Sequence, residues 1–400
     1  MLFFMNFFQG CACLWNFHCG ILSQKPARRL AAKNQRRCCM RSKHFLWSMI
    51  VLGILFCIGL GGVQQAEAKE VIKLKIGTTH PPAATWVSYL QSFFVPEVQK
   101  RVNEKTPYKL ELAEHYSGSV AKVGEIFEAT EIGLLDIAGD LIVFEPSKLY
   151  LVNWPFYLPF GVADPSAVAR ITTKLFKQFP VFNETFKKHN LIMLGAASGG
   201  DSYEMSTNFP LRTTADLKGH KIAGAGANLH WLTGSGAIPV QSNLNEAYTS
   251  LQTGVYEGWI MTVVGTVSFK LHEISRHFTT VGFGPSSQFV VYMNLKTFNK
   301  MPPEVQKILK EVGEEFAVMQ PKAMHGEREK GLKVMKDSGV TFYDMPFEER
   351  VKWANMIEDI PAKYAREADA KGWPGTAIMR AAIKLSEEEG AKFPRKWMSK

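Results

Sequence analysis

Eight histidines follow residue 68, and histidine is the side chain that titrates nearest neutral pH. His80 stands in Thr78-Thr79-His80-Pro81-Pro82, a loop because two prolines forbid a helix interior. It reads in two ways: as a ligand hydrogen-bonder beside Thr79 at the tip of a strand, or as a loop histidine satisfied by backbone. His272 and His277 lie five apart, a spacing that puts no metal pair on one helix face. Gly224-x-Gly226 follows a strand and opens a helix, as a dinucleotide fingerprint would, but Leu229 stands where the third glycine belongs. No H-E-x-x-H, G-x-S-x-G or G-K-[ST] sequence occurs. A catalytic reading needs an acid beside a base, and only Asp140 and His80 offer that pair. The chain therefore reads as a non-enzyme without cofactor or metal.

Composition narrows the field further. The net charge is +10, yet residues 1–68 hold eight Lys/Arg against one acid. The rest carries little net charge and no basic stripe interleaved with aromatics, so nucleic acid is not an expected partner. All six cysteines precede residue 68, which leaves the later chain without disulfides or thiolate chemistry. Arg41-Ser42-Lys43, the apolar run from Phe45 to Leu60 and Ala66-Glu67-Ala68 form a secretory signal peptide cut after Ala68. The run is shorter than the roughly 20 residues of a spanning helix. Met40 begins a signal of ordinary length, so residues 1–39 read as a mis-assigned upstream extension and 40–68 as the signal.

Elements must position the remaining candidates. Val71 to Ile76 alternates as a strand, Ala84 to Lys105 is a helix that Pro96 kinks, and Tyr108 to Glu114 is a second strand. A helix from Val120 to Glu131 and a strand from Leu134 to Ala138 follow, with Asp140 just beyond on the ligand side. Asn153 to Phe160 reads as a packed, proline-stiffened connector in preference to a binding platform. Leu191 to Leu194 is a strand, and the small residues Ala196 to Ser202 are a hinge. Lys221 to Met261 then alternates strand, helix, strand, helix, strand, which argues a sheet covered by helices. Ligands of such sheets sit beyond the carboxyl ends of the strands. Tyr203 and Trp259 read there as pocket aromatics or as core. Met301-Pro302-Pro303 opens a long helix kinked at Pro321, Val340 to Tyr343 is a last strand, and helices close the chain.

Several words in order carry a resemblance: D-L-K-G-x-K-I, G-A-x-P-V, and N-E-A-Y-x-x-L-Q-x-G-V-x-x-G, with His80-Pro81-Pro82 and Leu158-Pro159-Phe160 at matching distances. The stretch from Val71 to Gln320 resembles the substrate-binding proteins of tripartite ATP-independent periplasmic (TRAP) transporters, the dicarboxylate-binding type above all. That resemblance implies an α/β fold of two lobes, each a sheet flanked by helices, with a long helix linking them. It implies a monomeric periplasmic receptor that closes on a small organic solute and docks on a small and a large integral membrane subunit. The lobes would be 69–200 with 289–328, and 201–288 with 329–400.

The resemblance breaks where it matters for the ligand. In the family an arginine follows G-x-K-[IL] and grips the substrate carboxylate. Here that position is Ala223, the second cleft arginine falls on Tyr203, and a polar position falls on Met261. His80, Asn228, Gln241, Asn243 and Asn245 are neutral polar groups for the cleft. Tyr203, Trp231, Leu244, Trp259 and Met261 supply apolar or stacking surface. The expected ligand is an organic acid with apolar or aromatic surface, not a C4-dicarboxylate. The rival readings are a ligand sensor for a signalling receptor and a secreted enzyme on the same fold.

Overall fold

Leu74 and Ile76 alternate inward along the first strand and start a hydrophobic core that runs on to Trp397. The computed structural model describes residues 69–284 and 288–399. The expected extension and signal peptide, 1–39 and 40–68, lie outside the described residues. In chain order the strands are β1 (Glu70–Thr78), β2 (Tyr108–His115), β3 (Ile137–Leu141), β4 (Leu191–Ser198), β5 (Tyr203–Thr207), β6 (Lys221–Gly224), β7 (Ile238–Gln241), β8 (Gly258–Met261), β9 (His277–Gly284), β10 (Gln288–Asn294) and β11 (Thr341–Asp344).

They make two mixed sheets, and these are the two lobes. The first has the order β2-β1-β3-β10-β4, the second β11-β9-β5-β8-β6-β7. β1 pairs in parallel with β2 and β3, while β10 runs antiparallel to β3 and β4. The chain leaves the first sheet after β4, β10 re-enters it after β9, and β11 later adds an edge strand to the second sheet beside β9. Helix Pro303–Asp337 lies against both lobes. Gly313 lets it ride on β4, since a Cβ there would stand 2.3 Å from the Leu194 carbonyl oxygen. One end thus touches the first lobe backbone to backbone, while Gly331 meets Val263 of the second.

Several elements differ from expectation for local reasons. The helix expected from Val120 is only Ile126–Glu131, because Gly124 adopts φ +84°, a conformation that ends a helix rather than continuing one. β3 lies three residues later than expected, so Asp140 sits inside the strand, opposite Val290, and not beyond its end. β4 runs on to Ser198 and absorbs half of the expected hinge. Val263–Ser268 is a short helix where only a polar-apolar segment was expected, capped by Thr262 Oγ1 on Gly265 N at 3.1 Å. Pro96 does bring a change of helix, a five-residue π turn over Leu90–Phe94. That turn accommodates the carbonyl the proline leaves without a donor. Pro321 lies within an uninterrupted helix. Residues 360–388, grouped by sequence with the second lobe, pack on the 150–157 connector and on helix Pro165–Gln178. Tyr364 donates to the Leu151 carbonyl at 3.0 Å and stacks on Tyr150 at 5.0 Å.

Candidate functional site

β1 ends in three consecutive polar residues that the fold buries: Thr78, Thr79 and His80. Thr78 Oγ1 donates to the His80 carbonyl at 2.8 Å, and Thr79 Oγ1 lies 3.2 Å from His80 Nδ1. The ring is thereby held among aromatics. Trp86 meets it edge-on at 5.6 Å, Phe144 at 5.9 Å, and Phe269 edge-on at 6.0 Å. Phe269 also stacks on Trp86 at 6.1 Å. His80, Trp86 and Phe144 belong to the first lobe and Phe269 to the second, so this cluster is a lobe-to-lobe contact. Burial pushes the imidazole down to about 4, so it is neutral at physiological pH. His80 Nε2 and Trp86 Nε1 are buried with no hydrogen-bond partner in the protein. Each such group costs roughly 1–3 kcal/mol while it stays unanswered.

A second aromatic cluster lies around Trp231. Tyr203 meets Trp231 edge-on at 5.7 Å, and Phe156 of the proline-rich connector lies 5.7 Å from Tyr203 and 6.0 Å from Trp231. Phe283 and Trp353 complete it. Here the indoles are satisfied: Trp231 Nε1 donates to the Phe156 carbonyl at 2.8 Å, and Trp353 Nε1 to the Trp231 carbonyl at 2.7 Å. The connector therefore packs, and it does so across lobes.

The other sequence candidates separate. Ala223, fully buried, stands level with Trp259 in the β6–β8 pairing. Trp259 is buried edge-on against Tyr256 at 5.4 Å, and Met261 is buried opposite Glu204. Asn228 Oδ1 accepts from Ala225 N at 2.9 Å, which leaves its buried Nδ2 without a partner. The turn it holds brings Gly226 close to the Val143 carbonyl of the first lobe. Asn243 caps helix Leu244–Gln252, accepting from Asn245 N at 3.0 Å, while Asn245 and Gln241 are exposed. Gln241 Oε1 is engaged by Gly226 N at 2.8 Å. Asp140 is buried deep in the first lobe beside Tyr292; burial and then Glu145 push its carboxyl well above the ordinary range.

Sequence reasoning missed several buried groups near the lobe contacts. Glu145 is pushed up to about 7, chiefly by burial. Glu204 is likewise pushed up to about 7 by burial, although it accepts from Val281 N and Gly282 N at 2.7 Å each. Asp201, in the β4–β5 crossing, accepts from Val264 N at 3.2 Å and lies 3.6 Å from Arg328 of the long helix. Trp86 and Phe269 were also missed. They lie far apart in sequence, and only the lobe contact brings them together. Among the described residues no group of three His, Cys, Asp or Glu could hold a metal ion, and no helix is long and apolar enough to cross a membrane.

Comparison with known proteins adds a frame to this geometry. The family model described as "Bacterial extracellular solute-binding protein, family 7" matches residues 76–367. A solute-binding protein of Sulfitobacter sp. (strain NAS-14.1) is 29% identical over 193 residues, covering 48% of this chain and 58% of that one. The C4-dicarboxylate-binding periplasmic protein of Rhodobacter capsulatus is 27% identical over 170 residues, covering 42% of this chain and 51% of its own length. The chain thus spans little more than half of these two relatives. Among solved structures, a TRAP solute binding protein from Rhodoferax ferrireducens T118 with copurified benzoate superposes with a TM-score of 0.72. It is 18% identical, covering 79% of this chain and 98% of that one.

Proposed function

The chain belongs to the family-7 bacterial extracellular solute-binding proteins, and from that premise we propose that it is the receptor of a TRAP transporter for an organic acid with aromatic or apolar surface. It would be exported by a signal peptide cut near Ala68 and work in the periplasm as a monomer. There it would close its two lobes, 69–200 with 289–328 and 201–288 with the 329–359 segment, on the solute, as hinged receptors do; residues 360–388 would move with the first lobe, on which they pack. It would then dock on a small and a large integral membrane subunit driven by an ion gradient.

One observation carries the ligand class. Ala223 and Tyr203 occupy positions where the family's arginines are expected, Tyr203 packs on Phe156 and Trp231, and the other lobe contact is made of Trp86, Phe144 and Phe269 around an uncharged His80. A dianion closed into such surroundings would lack an ion-pair partner, at a cost of several kcal/mol. Structural relatives that hold benzoate and 3-hydroxybenzoate support the same reading by analogy of fold. Thermal-shift screening of the full-length protein tests it. A ligand at about 100 times its Kd stabilises by about 2.7 kcal/mol. Aromatic monoacids should raise the melting point and succinate, malate and fumarate should not; micromolar succinate binding would defeat the proposal.

A further inference from the structure

His80 and Trp86 are two buried aromatic groups in mutual contact whose nitrogens both go unanswered, as Trp154 Nε1 does in the connector. Their rings lie 5.6 Å apart, on the first lobe, under Phe269 of the second. Both are essentially inaccessible. Buried polar groups in native proteins are almost always hydrogen-bonded. Here His80 Nε2 and Trp86 Nε1 have no protein partner, although Trp231 and Trp353 at the neighbouring cluster both reach a carbonyl. The two unanswered groups lie against Phe269, at the contact the first lobe makes with the second. Thr79 Oγ1 lies 3.2 Å from His80 Nδ1; in the tautomer in which the hydroxyl donates to Nδ1, the ring proton is on Nε2, and His80 Nε2 and Trp86 Nε1 are then both donors.

We propose that His80 and Trp86 form a charge-neutral pair of N–H donors for the polar head of the solute, which is a planar aromatic compound bearing one carboxyl or equivalent oxygen acceptor. This deepens the organic-acid reading above and rests on it. The pair grips by hydrogen bonding alone, because burial keeps the imidazole uncharged. Phe269 then covers the head group as the lobes close, and the ligand ring gains stacking partners in Phe144 and Phe269. A carboxylate accepts stronger hydrogen bonds than a carbonyl, but burying it with no cation beside it costs free energy that offsets this gain, so an uncharged carbonyl is accepted almost as readily.

Calorimetry on the full-length protein with benzoate, benzamide and succinate tests the pair, alongside ligand-free melting points. Benzoate and benzamide should bind within about tenfold of each other. His80→Leu and Trp86→Phe should each lose roughly tenfold or more for both probes, whereas His80→Gln, which keeps an N–H, should lose about threefold or less. The ligand-free melting point of His80→Leu should stay at or above that of the parent, since a buried group without a partner is being removed. A preference for benzoate of about a hundredfold or more would overturn the proposal by requiring a cation. Equal losses in His80→Leu and His80→Gln would also overturn it. If no probe binds the parent, the organic-acid reading fails, and the ligand-free arm then decides the pair: melting of His80→Leu well below the parent makes the ring structural and ends the proposal, while melting at or above it sustains the donors.

Discussion

Two aromatic clusters join the lobes, and they are built to opposite rules. Around Trp231 every indole is answered: Trp231 donates to Phe156 and Trp353 to Trp231, so five large rings close into one dry block. Around His80 the rings pack as closely, but the nitrogens of His80 and Trp86 are left without protein partners. Equal burial with unequal hydrogen bonding separates a block whose polar groups are all paired from a contact that leaves two nitrogens unanswered. Burial alone would have ranked the two alike.

The largest test of that contrast is Trp231→Ala. Removing a buried Trp side chain costs about 3–5 kcal/mol, and the Phe156 carbonyl loses its donor as well. Urea denaturation should show a loss at the upper end of that range, and a loss under about 1 kcal/mol would erase the distinction. Next comes pH. His80 is depressed in the folded protein to about 4, so its neutral burial favours folding above the unfolded value near 6.5, and that contribution disappears as pH falls through about 4. It amounts to about 3 kcal/mol at most. Glu145 and Glu204, each raised to about 7, act in the opposite sense: their contribution is full below about 4.5 and is lost as pH rises through about 7. His80→Leu should therefore hold its stability better than the parent between pH 6.5 and 4, and parallel denaturation curves for the two proteins would contradict the assignment.

Phe269→Ala is a smaller perturbation, because Phe269 is only partly buried and belongs to the contact that must open. It should cost roughly 0.5–1.5 kcal/mol of ligand affinity through lost ring contacts and leave the unfolding midpoint within a few degrees of the parent. A large stability loss with unchanged affinity would make this cluster a second structural block. Smallest of all, Asn243→Ala removes a helix cap for about 1 kcal/mol. The Asn243 amide is spent on its own helix cap, so calorimetry should find solute affinity unaltered; a tenfold loss would bring Asn243 back into the binding site.

Legibility in the sequence followed the range of the interactions. Local chemistry was readable: the long helix opens at Met301-Pro302-Pro303 as expected, with Pro303 in its first turn. The strand-helix alternation from Lys221 to Met261 gave the architecture of the second sheet, and the ordered words gave the family. Register was harder. β3 slipped because Leu134 and Leu135 look like strand residues, whereas the turn at Gly133 holds them outside it. The site was least legible. Trp86 and Phe269 are 183 residues apart, neither carries a motif, and their pairing exists only because one lobe folds over the other. Asn245 and Gln241 looked like cleft donors by type, and the structure exposes both. No pattern in the chain distinguishes a Trp whose indole finds a carbonyl from one whose indole does not.

The long helix sets how these contacts can come apart. Gly313 seats it on β4, the Gln320 amide receives from Ser198 N at 3.0 Å and donates to its carbonyl at 2.6 Å, and Gly331 meets Val263 beyond. Between the two seats stands Pro321, whose missing N–H leaves the Ala317 carbonyl without its helical donor. A rod clamped at both ends and notched between them bends at the notch and twists along its length. The two sheets are therefore seated on one shaft, and the turn at Pro321 is where that shaft is least bonded to itself.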